Sequence, residues 1–279
     1  METRVYQKEH TIPFAKLLKD SLSAIYTSRF LSRQLASRDI KAQYRQSFLG
    51  IIWAFITPLT TALVWIILNH TGIVRLTATG VPYAVYAFTG TLIWSILIDA
   101  INSPISNTNG ARSFLSKINF PKEALIVSGV YKLLFNSLVK FVLIFVFVLA
   151  YGIKLQVLAL LFPVALVGIV FFGTTIGLLI TPIGLLYNDI AKIIALGMRF
   201  LMYAAPVVYV VPKGGIMKTI MELNPLTPLI SVARGMLLGV PLDYLTYYGW
   251  IFALCIPLLL VALVFYRISM PIIIERLSA

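Results

Sequence analysis

Leu155 to Pro182 reads LQVLALLFPVALVGIVFFGTTIGLLITP, 28 consecutive residues without a charged side chain. A bilayer core about 30 Å thick takes about 20 helical residues to cross, so this run spans it with length left for tilt. Working outward, further apolar segments of bilayer length fall at about 49–69, 83–103, 124–150, 190–211 and 247–269. With the central run at about 155–182, the expected fold is an all-α integral membrane protein with six transmembrane helices.

Composition agrees with that class. Hydrophobic residues make up 59% of the 279 positions and charged residues 12%, far from the balance of a soluble domain. The length allows one membrane domain, residues 47–279, behind a cytoplasmic N-terminal segment, residues 1–46. The net charge of +13 does not point to nucleic acid. Its basic residues sit mainly in the N-terminal segment and the loops, where an anionic membrane face attracts them. Cys255, the single cysteine, lies in an apolar run and reads as packing, with no intramolecular disulfide or cysteine metal cluster possible. The first 40 residues hold Glu2, Glu9 and Asp20 and no signal-peptide core, so the N-terminus is expected to stay in the cytoplasm.

Orientation follows from lysine and arginine. With the N-terminus inside, fifteen basic residues fall on the inner side, among them Arg112, Lys117, Lys122, Lys192, Arg267 and Arg276. Five fall outside: Arg75, Lys154, Lys213, Lys218 and Arg234. That asymmetry places both termini in the cytoplasm.

Two connections depart from plain turns. The inner one, about Pro104 to Glu123, has a cap-rich start at Ser106-Asn107-Thr108-Asn109-Gly110 and predicts a short helix before Phe120-Pro121. The outer one, about 212–246, is rich in leucine, isoleucine and methionine and predicts short helices broken at Pro225, Pro228 and Pro241. Non-helical backbone dipping into the membrane must be shielded by protein or line a wet cavity.

No convergent catalytic set is present, which argues against an enzyme. His10 and His70 lie outside any metal-ligand spacing, and Lys213 to Thr219 lacks the order of a phosphate-binding loop. Three other groups invite functional roles. Arg29, Arg33, Arg38, Lys41 and Arg45, interleaved with Phe30, Leu31, Leu35, Ile40 and Tyr44, form a cationic stretch expected as an amphipathic interface helix. It serves either as a topology anchor or as a grip on a lipid phosphate. In the third span, Ser128, Lys132, Asn136 and Lys140 repeat every four residues and share one face. An intramembrane lysine snorkels, pairs with a partner such as Asp99, or lines a path for an anionic substrate, and Arg199 in the fifth span has the same choices. Trp53, Phe55 and Trp65 in the first span and Phe200, Tyr203 and Tyr209 in the fifth offer flat apolar faces with polar edges, suited to sugar rings or to interface belts.

The run Arg38-Asp39-Ile40-Lys41-Ala42-Gln43-Tyr44-Arg45-Gln46-Ser47-Phe48-Leu49-Gly50-Ile51-Ile52-Trp53, closed by Pro58, resembles the approach to the first span in polysaccharide-exporting ABC permeases. Asn119-Phe120-Pro121-Lys122-Glu123, Asn188-Asp189-Ile190, Asn224-Pro225-Leu226-Thr227-Pro228 and Arg234-Gly235 resemble later stretches of the same family in order and spacing. The resemblance implies a homodimer of six-span permeases served by two separate ATP-binding subunits, which hold the ATP and Mg, so that this chain carries no cofactor. It implies a cytoplasmic coupling helix within Ser106 to Asn119, with Arg112 and Phe114 as contacts, and short outer gate helices near the exit. It also implies a polyprenyl-diphosphate-linked glycan, most simply lipopolysaccharide O-antigen, crossing the bacterial cytoplasmic membrane. Arg33, Arg38, Lys41 and Arg45 would receive the diphosphate, while Trp53, Phe55, Phe200 and Tyr203 would border the path. Lys132 and Lys140 depart from the family pattern, and with Arg199 they are candidate substrate contacts only on the anionic-path reading given above. Teichoic acid, capsule, lipid or drug cargo on the same architecture, or a non-transporting membrane assembly subunit, are the competing expectations.

Overall fold

The computed structural model describes residues 13–45, 50–72, 80–115, 118, 120–187 and 189–278. Helices α1 (Phe14–Thr27) and α2 (Arg29–Arg45) precede α3 (Trp53–His70), α4 (Tyr83–Gly110), α5 (Arg112–Leu115) and α6 (Glu123–Ala150). The chain continues through α7 (Phe162–Leu186), α8 (Asp189–Tyr203), α9 (Ile216–Leu223), α10 (Leu226–Leu238) and α11 (Leu245–Ser278). The described residues contain no strand.

Among the described residues, four helical segments are long and apolar enough to cross a membrane: Tyr83–Gly110, Glu123–Ala150, Val157–Leu186 and Leu245–Arg276. Helix α4 is the axis, with 78% of its membrane-length window buried, against 28% for α6 and 33% for the α11 segment. Close packing against α7 explains that burial. A Cβ added at Gly173 would lie 2.5 Å from Ala100 Cβ, and one at Gly177 would lie 2.2 Å from the Ile101 carbonyl oxygen. The G-x-x-x-G spacing thus lets two backbones meet where lipid supplies no hydrophobic drive between helices.

The first and fifth expected spans are shorter than the rest. Helix α3 offers an apolar stretch of Ile56–His70. Helix α8 has 15 residues, about 22 Å of helix at 1.5 Å per residue, and stops eight residues before the expected boundary at 211. At the α4–α5 end the helix lengths shift the other way. Helix α4 continues past Pro104 to Gly110, where the Thr108 hydroxyl donates to the Pro104 carbonyl (2.8 Å) and Asn107 Nδ2 to the Leu125 carbonyl (2.7 Å). The expected short inner helix is therefore reduced to the four residues of α5.

Amphipathicity at the N-terminus is clearest one helix earlier than expected. In α1, Phe14, Leu22 and Tyr26 are exposed and Leu18 half-buried at every fourth residue, while Ser21 and the capping Ser28 are buried. Helix α2 instead buries Ser32 and Ala36 and packs along α6, while α1 packs on α11. Beneath them Leu125, Leu178, Leu263, Tyr266 and Met270 form a second core. There the Arg267 guanidinium donates to the Glu123 carboxylate, which is only 5% exposed, and the Tyr266 hydroxyl bridges Thr108 Oγ1 (3.3 Å) and the Lys122 carbonyl (3.4 Å). Sequence reasoning counted Arg267 only as a topology cation; its buried partner lies 144 positions away.

Candidate transport path

Helices α3 and α8 bring the expected aromatics onto one side of the bundle. Trp65 meets Tyr203 at 6.2 Å between ring centroids and Tyr209 at 6.4 Å in an edge contact. Along their lengths the two helices expose large side chains, including Trp53, Val64 and Ile67 on α3 and Ile193, Leu196, Phe200 (68% exposed) and Tyr203 on α8. Arg199 is exposed beside them. These two helices therefore present rings and a cation to whatever lies next to them. The Phe55 side chain lies outside the described residues.

Directly above α8 the backbone breaks, and every carbonyl from 204 to 209 has a donor. Asn224 Nδ2 donates to Ala204 O (2.8 Å), the Val207 N–H to Ala205 O (2.8 Å), and Arg234 Nη1 to Pro206 O (2.7 Å). Arg234 Nη2 takes Val207 O, the Tyr83 hydroxyl takes Val208 O (2.9 Å) and the Tyr86 hydroxyl takes Tyr209 O (3.2 Å). Unpaired backbone groups in a water-poor interior cost more than the hydrogen bonds are worth in water, so this set of donors is what permits the break. Arg234 is 3% exposed and its guanidinium lies 3.7 Å over the Tyr86 ring, where the π face adds attraction for the charge.

Arg234 is thus a correction to the sequence account, which placed it among the outer loop cations. It sits on α10, whose residues from Leu226 to Leu238 are buried with the single exception of Ser231. The expected outer breaks hold at Pro225 and Pro241. Pro228 falls instead in the first turn of α10, where a missing N–H costs no helical bond. The signal available in sequence was an arginine inside an otherwise uncharged thirteen-residue stretch with aromatic hydroxyls at the start of the second span.

The third-span lysines part company. Lys140 is 6% exposed and its Nζ donates to Asp99 Oδ2 (2.6 Å) and to Ser95 Oγ, joining α6 to α4. Lys132 and Asn136 are half-buried on the same face and Ser128 is fully buried, so the stripe turns largely inward as its spacing predicts. On α2, Arg33, Arg38, Lys41 and Arg45 are all exposed, the last three in one arc opposite Ser32 and Ala36 and Arg33 on its flank, and Arg38 pairs with Asp39 at 2.8 Å. Arg112 opens α5 and its Nη2 donates to the Leu185 carbonyl at 2.5 Å, tying the C-terminal end of α4 to that of α7. The Phe114 side chain lies outside the described residues. Lys122 places its ammonium 4.3 Å from the Phe120 ring centroid, and burial pushes its pKa down from the usual lysine range.

Residues 31–238, from within α2 through the end of α10, match the sequence profile of the ABC-2 type transporter family. The chain belongs to that family. Its aromatic junction, the braced break and the α2 cations all fall inside the matched region, and the family makes it an integral membrane subunit of a transporter that works with an ATP-binding subunit. Among relatives, the chain is similar to the O-antigen export system permease protein RfbA of Myxococcus xanthus, 28% identical over 74% of this chain and 80% of the relative. It is similar also to the protein of that name from Klebsiella pneumoniae, 22% identical over 75% of this chain and 81% of the relative. The family profile ends before α11, so the Glu123–Arg267 pair is an addition that the matched region alone does not contain.

Proposed function

We propose that this chain is the permease of an ABC exporter that moves O-antigen polysaccharide, carried on a polyprenyl diphosphate, across the bacterial cytoplasmic membrane. The observation that carries this is the uncovered face of α3 and α8, where Trp53, Phe200, Tyr203 and Arg199 stand exposed in an ABC-2 transporter whose relatives are named O-antigen export permeases. A second copy facing the first across that side would enclose a path with ring faces for sugars, and Phe55 would join it. The rings bind without committing to one hydroxyl pattern, which suits a long chain sliding past.

In this mechanism six crossings are made by α3, α4, α6, α7, α8 with its break, and α11, in a domain over 47–279, with the N-terminal segment 1–46 and both termini in the cytoplasm. Removing Arg234 from the outer loop cations sharpens the charge asymmetry that supports the orientation. Arg33, Arg38, Lys41 and Arg45 present the lipid diphosphate with an exposed cationic arc at the inner surface. Two ATP-binding subunits supply ATP and Mg and push on the inner ends through Arg112 and Phe114. Because Arg112 also grips Leu185, a push there reaches α7 and the turn into α8. Helices α9 and α10 form the outer gate.

Deleting the gene is expected to leave an O-polysaccharide on its lipid carrier inside the cell, read by mass analysis of the carrier-linked pool. Complementation with Phe200→Ala and Tyr203→Ala together is expected to lower surface glycan by about threefold to tenfold, from the loss of one or two ring contacts. An unchanged carrier-linked pool in the deletion strain would remove the proposal.

A further inference from the structure

We propose that the outer-face cavity between α9, α10 and the break after α8 is a saccharide subsite, in which Glu222, Asp243 and Tyr244 take the hydroxyl groups of one sugar residue of the departing chain. The inference rests on the export function proposed above and names where, within a single protomer, the glycan is held on the outer side.

The cavity has a volume of about 430 Å³ and is bounded by the outer end of α4, the residues 206 and 210–212 of the break, α9, α10 and the turn before α11. That lies in the range of about 300–1,000 Å³ typical of small-molecule sites, and a single sugar residue is small enough to enter it. Its polar groups are of the kind sugars need. Glu222 and Asp243 each present a carboxylate, whose two oxygens accept from neighbouring hydroxyls, and such charge-assisted bonds are about twice as strong as neutral ones. Tyr244 lies within the field of both: burial first, then Glu222 and Asp243, push its pKa up, so its hydroxyl keeps its proton as a donor beside two acceptors. Its ring supplies an apolar face.

The wall holds one further group that the bundle does not use up. Arg234 lines the cavity, is 3% exposed, spends both Nη atoms on the break, and leaves its Nε–H without a partner among the described residues. Its guanidinium adds a positive charge to the wall beside the two carboxylates. The two carboxylates are matched by two cations, Arg234 in the wall and Lys218, which sits 3.7 Å from Glu222. With the charges balanced, a neutral, hydroxyl-rich ring meets both donors and acceptors and brings no charge of its own to compensate. A divalent cation is the less fitting guest, because no group of three or more His, Cys, Asp or Glu converges among the described residues.

The test uses the full chain with its ATP-binding partner in nanodiscs and, as probe, O-polysaccharide released from its lipid by mild acid from the same strain. Saturation-transfer NMR and calorimetry are compared for wild type, Asp243→Asn, Tyr244→Phe and the Glu222→Gln/Asp243→Asn pair. Wild type is expected to bind, and the paired variant to lose about tenfold in affinity, the worth of one charge-assisted hydrogen bond. Its melting temperature should stay unchanged; should the pair fail to fold, Asp243→Asn and Tyr244→Phe carry the comparison. Wild-type binding that survives all three changes, no binding by a wild type that exports in cells, or binding of calcium alone would overturn the subsite while leaving export intact. A strain lacking the gene yet exporting its glycan would overturn the export function itself.

Discussion

Arg234→Leu is expected to destabilise the protein by about 2–6 kcal/mol, because it strands two buried carbonyl oxygens that no water replaces, at about 1–3 kcal/mol each. The guanidinium reaches Pro206 O and Val207 O at once because its donors diverge from one planar fork. Lysine has a point charge instead, so Arg234→Lys is expected to keep one carbonyl satisfied and recover only part of the loss. An independent change tests the same brace without altering charge. A Cβ at Gly90 would sit 1.9 Å from Val207 O and 2.0 Å from Arg234 Nη2, so Gly90→Ala must displace the break or the arginine. Thermal unfolding in nanodiscs measures both variants, and wild-type melting temperatures for both would show that the break is held by other contacts. Since α8 ends and α10 begins on either side of this brace, both variants should also lower export in proportion to the protein that remains folded.

The contrast between Arg234 and Lys140 shows what sequence makes legible. The four long apolar helices were readable because lipid imposes a length on them, and both outer breaks at Pro225 and Pro241 were readable because proline withholds a donor. Lys140 was readable too: an intramembrane lysine on a polar face demands a partner, and Asp99 was one nearby choice. Arg234 was missed because its partners are backbone carbonyls, which have no identity in a sequence. Glu123 and Arg267 were missed for a different reason, since a pair separated by 144 positions is fixed only by how α6 and α11 meet at the second core. The shift of amphipathicity from α2 to α1 has a local cause. Helix α2 packs on α6 through small residues, Ser32 and Ala36, so its contact face carries no apolar stripe.

Lys140 also yields the second large effect. The ammonium is 7% exposed and the Asp99 carboxylate 43%, so the two partners are not equivalent when the other is removed. Asp99→Leu leaves a buried cation with only Ser95 for company and is expected to cost about 3–5 kcal/mol. Lys140→Leu leaves an acid with partial access to its surroundings and is expected to cost less. Replacing both, as Asp99→Leu with Lys140→Met, removes the uncompensated charge and should recover most of the stability, because a buried pair seldom outperforms apolar packing of similar volume. The double variant then separates stability from transport. If it folds and exports as wild type does, the pair joins α4 to α6 and nothing more. If it folds and exports poorly, the charges are needed by the moving substrate. Lys132→Leu completes the comparison: half-buried two turns below Lys140 on the same face, it is expected to assemble normally and reduce export, and full export by that variant would take Lys132 out of the path.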